Sequence, residues 1–111
     1  MTEKELFIEG LKKRTKTFAV DVIMFCNSLK KCKSSSVVEY QLVKAASSTG
    51  ANYPAACRAR SRSEFYSKIC VAVEEADESE YWLEIIEEAN LSNDLKELPR
   101  IQREVNEIIK I

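Results

Sequence analysis

The chain contains no histidine. That removes the commonest general base, and Ser-His or Cys-His nucleophile chemistry cannot be assembled within one copy. The four cysteines, Cys26, Cys32, Cys57 and Cys70, include no C-x-x-C pair. Without such a pair or a histidine the ligand set of a zinc site is missing, and the cysteines read as free thiols in a reducing compartment. Only two glycines and two prolines occur in 111 residues, which favours long helices with short links. No apolar run approaches the ~18 residues that a membrane span needs, and Met1 is followed by charge rather than an apolar leader. These absences predict a soluble, cytoplasmic, non-enzymatic protein with no catalytic residues, no metal, no cofactor and no membrane contact.

About 45% of the residues are apolar, enough for one core in a single domain spanning residues 1–111. They recur at helical spacing. Leu11, Thr15, Phe18, Val22, Phe25 and Leu29 step by alternating fours and threes behind a Thr2-x-x-Glu5 start, with Lys30, Lys31 and Lys33 placed to suit the dipole at that helix's end. Ser36-Val37-Val38-Glu39 has the form of a capping box. It predicts the start of a second helix with the stripe Val38, Leu42, Ala45, Thr49, Asn52, Ala56 and Ala59. That stripe keeps phase through Gly50 and Pro54, so the small-residue stretch Ser47–Cys57 reads as helix, bent where Pro54 removes a hydrogen bond to Gly50. Ser61-Arg62-Ser63-Glu64 opens a third helix, from about residue 62 to about 89, with the stripe Phe65, Ile69, Ala72, Ala76, Ser79, Leu83 and Ile86. Ser92-Asn93-Asp94 is a turn and cap cluster before a fourth helix carrying Leu98, Ile101, Val105 and Ile108, with Pro99 near its start. No strand alternation of useful length appears. The predicted fold is all-α, an antiparallel up-down-up-down four-helix bundle, with Phe18, Phe25 and Phe65 filling the space opposite the small residues of the second helix.

Charge is divided along the chain. Residues 1–70 carry 13 Lys and Arg against 6 Asp and Glu, and residues 71–111 carry 4 against 12, a split of +7 and −8 within a total of −1. One reading is solvated faces, with basic helices paired to acidic ones inside a bundle or between subunits. The other is a basic face for nucleic-acid phosphates. Arg58, Arg60 and Arg62 cluster at the junction of helices two and three, and Lys44 lies on the face of Arg58, about four turns away. Lys12, Lys13, Arg14 and Lys16 form a second basic group. A pI near 5.6 argues against strong nucleic-acid binding by one subunit.

Other constellations carry less. Gly50-Ala51-Asn52 is no phosphate loop, because Lys44 precedes the glycine. Glu74, Glu75, Asp77, Glu78 and Glu80 lack the histidines of an E-x-x-H di-metal bundle. Asn52 on an inner stripe needs a partner, and an internal hydrogen bond fixing helix register would supply one. Tyr81 and Trp82 flank Leu83 and suit an oligomer interface.

The run QLVKAASSTGANYPAACRARSRSEFYSKICVAVEEADESEYWLEII, from Gln41 to Ile86, resembles the proteins encoded within intervening sequences of bacterial 23S ribosomal RNA. The resemblance is carried by Gln41-Leu42, Ser48 with Gly50-Ala51-Asn52, Ala55-Ala56, the junction Arg60 to Phe65, and Glu75-Ala76 leading to Tyr81-Trp82-Leu83. It departs at Pro54, where the family has an ordinary helix former. The resemblance implies a non-enzymatic four-helix bundle assembled as a homo-oligomer, a pentameric ring. It also implies kinship with the accessory protein of diversity-generating retroelements, which binds nucleic acid and a reverse transcriptase. The expected function is RNA or DNA binding through Lys44, Arg58, Arg60 and Arg62. The alternative is a scaffold that docks a protein partner such as a reverse transcriptase, without nucleic-acid contact.

Overall fold

The computed structural model describes residues 1–111. Four helices follow one another: α1 (Glu3–Phe25), α2 (Lys33–Cys57), α3 (Arg62–Glu88) and α4 (Glu97–Lys110), with a single 3-10 turn, Cys26–Ser28, after α1. Each packs on its chain neighbour, α2 on α3 most extensively, and α4 closes the ring against α1. The expected four-helix bundle is thus formed. It measures 45 × 24 × 19 Å, so features at its two ends are far apart.

Local signals explain most helix ends. Thr2 Oγ1 accepts from the Glu5 amide at 3.1 Å, and Ser61 Oγ from the Glu64 amide at 3.0 Å, each satisfying one orphan donor. Asn90, at φ 54°, ends α3. Its amide bonds the Glu87 carbonyl and the Leu91 amide bonds the Ile86 carbonyl, which is the Schellman pattern. Asp94 Oδ1 then receives the Lys96 and Glu97 amides ahead of α4, and Pro99 falls in α4's first turn.

The start of α2 differs from the expectation. The helix begins at Lys33 behind Cys32, and the Ser36 box is not used. Ser35 is buried with its hydroxyl 3.3 Å from Cys32 Sγ, and Ser36 Oγ donates back to the Cys32 carbonyl. Hydroxyls bonded within the first turn leave none to cap from outside it. The lysines Lys30, Lys31 and Lys33 consequently belong to the connection and to α2's start, and α1's last turn holds no base.

The predicted stripes form the core. Phe18, Val22, Leu42, Leu83, Ile86, Ile101 and Val105 are fully buried, each contributing about 1.5–3 kcal/mol of apolar burial. Buried Thr15, Thr49 and Ser79 return their hydroxyls to the carbonyls of Leu11, Ala45 and Glu75 on their own helices, and no buried side-chain polar atom lacks a partner. Helix α2 runs unbroken through Gly50 and Pro54, and Pro54 sits in its last turn. A Cβ built on Gly50 would stand 3.1 Å from the Thr15 carbonyl oxygen, so the small-residue face admits the α1 backbone itself. Two expectations fail. Phe65 is 39% exposed rather than buried, because it lies in α3's first turn, at the end of the bundle. Asn52 is half-buried and bonds Ser48 of its own helix, through the carbonyl and Oγ, both at 2.9 Å, so it sets no register between helices.

Candidate nucleic-acid interface

The α2–α3 connection is four residues long and follows from two adjacent caps. Arg58 closes α2, its amide shared among the last carbonyls, and Ser61 opens α3. This tight corner throws Arg58, Arg60 and Arg62 outward, all exposed. The Arg60 side chain is 91% exposed, and its Nε lies 3.7 Å from Glu64 Oε2. Arg58 and Arg62 form no ion pair. Three guanidinium groups therefore stand within five residues at one tip, held by a single loose acid contact.

Lys44 is exposed on α2, about 21 Å along the helix from Arg58. Across from it stands Glu75 of α3. Burial pushes the Glu75 carboxyl up, Glu78 adds to the rise, and the Lys44 charge opposes it. The structure joins the three arginines and leaves Lys44 beside an acidic helix. The α1 cluster is partly committed as well. Arg14 makes a bidentate pair with Glu104 at 2.8 and 2.7 Å, which raises its pKa, and Lys12 bonds Glu9. Lys13 and Lys16 are exposed and unpaired. Arg100 of α4 bonds Asp21 of α1 at 3.2 Å and also Glu97, so the two cross-helix ion pairs join α4 to α1 with the base on α1 in one and on α4 in the other.

Trp82 is half-buried against the core and donates from Nε1 to Glu78 at 3.3 Å. Tyr81 stays 52% exposed, its ring edge-on to Trp82 with centroids 5.0 Å apart. Of the pair, only Tyr81 presents most of its ring to solvent. Nowhere do three acids or cysteines converge as metal ligands would, and no helix is long and apolar enough to cross a membrane.

The sequence assigned one basic cluster to the wrong helix and gave no sign of a second feature. Lys30, Lys31 and Lys33 surround the start of α2, whose first turn has no acid, at the end opposite the arginines. The signal was the missing acid after Cys32. The second is an apolar groove of about 310 Å³ at the arginine end, where Phe7, Leu11, Tyr53, Phe65, Ile69 and Ile111 meet. A periodic stripe reports which face is apolar, and not whether another helix reaches far enough to cover it.

Fold and surface define a small four-helix-bundle protein with segregated charge and an arginine-bearing tip. The chain belongs to the 23S rRNA-intervening sequence protein family, whose model matches residues 10–111. A crystal structure from Bacteroides thetaiotaomicron VPI-5482, described as a protein with unknown function from the S23 ribosomal protein family, superposes with a TM-score of 0.81 at 29% identity. The match covers 93% of this chain and 91% of that one. No curated protein matches the chain.

Proposed function

We propose that this protein is a non-enzymatic RNA-binding bundle that works as a homo-oligomer, with five copies the number its family resemblance implies. The observation that carries the reading is the arginine tip. Arg58 and Arg62 are free of acids, and a guanidinium fork matches phosphate oxygens in a bidentate way that an ammonium does not. The family's name, which ties its members to 23S ribosomal RNA, favours RNA as the nucleic acid. A net charge of −1 gives one copy no long-range pull on RNA, so binding rests on the local patch and its repetition. Several tips engaging one RNA convert weak single contacts into avidity. Lys13, Lys16 and the distant Lys44 add charge on the flanks. Tyr81, backed by Trp82, is the aromatic surface assigned to the subunit contact.

The test is sedimentation of the protein alone and with a structured RNA at 50 and 200 mM salt. The expected result is a multiple of the 12.7 kDa chain mass, with RNA binding that weakens steeply with salt. Arg58→Ala/Arg62→Ala should bind more weakly, with its salt slope reduced by about two. No binding at low salt, or binding indifferent to that double substitution, overturns the RNA reading. A strict monomer at micromolar concentration overturns the oligomer.

A further inference from the structure

We propose that the apolar groove at the arginine end docks an acidic helical segment of another protein, anchored by two large apolar side chains. The size of the groove sets the number of anchors. Its 310 Å³ is about twice the ~150 Å³ of an engineered apolar cavity that takes up benzene. Two apolar residues at i and i+4 of a helix lie about 5–6 Å apart on one face, so a single short helix delivers both, the helix-in-groove mode of recognition.

The walls are apolar and open. Phe7 is 62%, Phe65 39% and Ile111 55% exposed, an unusual set of large side chains to leave around one depression. The Thr15 and Thr49 hydroxyls at its floor are taken by their own helices. The Tyr53 hydroxyl bonds no protein group.

Charge selects the partner. The α2 and α3 lining runs from Thr49 to Val73, and that span carries Arg58, Arg60, Arg62 and Lys68 against the single acid Glu64. On the α1 side Glu3, Glu5 and Glu9 balance Lys4, Lys12 and Lys13, and Glu107 balances Lys110 near the end of α4. The surplus is positive and lies on one wall, so acids on that flank of the incoming helix are favoured. A second copy is a poor occupant. The chain's own acidic helix, α3, already turns its stripe of Ala72, Ala76, Ser79, Leu83 and Ile86 into the core.

The test is fluorescence polarisation of the full chain with a labelled 18-residue helical peptide. The peptide has leucines at i and i+4 flanked by glutamates, and the control replaces every glutamate with lysine. The acidic peptide should bind at least ~10-fold more tightly than the control. Phe7→Ser/Phe65→Ser, and separately Ile111→Ser, should each weaken it several-fold while thermal melting, oligomer mass and RNA binding stay as in the parent. Equal binding of both peptides, no binding, or binding unaffected by the groove substitutions overturns the proposal. If those substitutions reduce the oligomer mass, the groove is a subunit contact. If they abolish RNA binding, it belongs to the RNA surface. Either outcome also overturns it. Because the peptide assay contains no RNA, failure of the RNA reading leaves its result intact.

Discussion

Cys32 precedes α2 with its sulfur against Ser35 Oγ, while Cys26, six residues earlier, is buried beneath the turn that ends α1. The Ser35 hydroxyl and neighbouring backbone donors draw the Cys32 thiol below its ordinary pKa, with Lys30 helping. Burial first, and Glu39 second, push Cys26 up to about 12. Because the thiolate is the nucleophile, a limiting thiol reagent at pH 7.5 should label Cys32 first and leave Cys26 unmodified until the protein unfolds. Peptide mapping after timed quenching checks the order, and early labelling of Cys26 would show that the loop beneath α1 opens freely. Arg14 and Arg100 illustrate a different residue-scale lesson. The sequence counts them as bases, yet each is spent on carboxylates between α1 and α4, and only arginines without such partners remain for a ligand.

At the scale of the helix, the two glycines make a controlled comparison. Gly10 lies in α1, where an added Cβ would have nothing within 4 Å, whereas at Gly50 that atom meets the α1 backbone at 3.1 Å. Gly10→Ala should therefore gain about 0.5–1 kcal/mol from helix propensity alone. Gly50→Ala has the same propensity gain, but α1 must shift, and overpacking costs roughly 1–3 kcal/mol. The expected net result is destabilisation. Urea midpoints of the two variants against the parent decide it, and a stabilised Gly50→Ala would mean that α1 yields readily. The stripes of fours and threes were legible because burial in a bundle has the period of the helix itself, and they carried the second helix correctly through Gly50 and Pro54. Two kinds of information were not. Ser36-to-Glu39 has the form of a capping box, but Ser35 and Ser36 are engaged around Cys32, so α2 starts a turn earlier. Phe65 keeps stripe phase yet lies at the end of the bundle, and phase does not encode where neighbouring helices end. The arginine tip was legible as three residues in a row of five. Lys44 shared their face in projection, but projection discards the length of the helix between them.

Across the whole molecule, charge segregation leaves α3 with acids on neighbouring turns. Burial raises the Glu80 carboxyl, with Glu84 and Asp77 adding to it, and Glu75 is raised as described above. A carboxyl with a raised folded pKa contributes its stability fully below the ordinary value of 4.5, and that stability is lost as pH rises through the folded value. Glu80→Gln should thus be more stable than the parent at pH 7 and level with it near pH 4. Urea unfolding at both pH values checks this, and equal stability at pH 7 would show Glu80 to be well solvated. The end of the bundle away from the groove has its own feature. There the Leu29–Ser92 bridge brings the α1–α2 and α3–α4 loops together through Lys30 N–H to the Leu91 carbonyl, Asn93 N–H to the Ser28 carbonyl, and a 2.9 Å bond between Ser28 and Ser92 hydroxyls. The Ser28–Ser92 bond alone spans 64 residues of sequence, and together the contacts clasp two helical hairpins whose chain connection is the arginine corner. The hairpins are therefore denied autonomy, because neither can swing away while the clasp holds. The covalent corner at the groove end is the hinge, so the hairpins can part only after the clasp at the opposite end has broken.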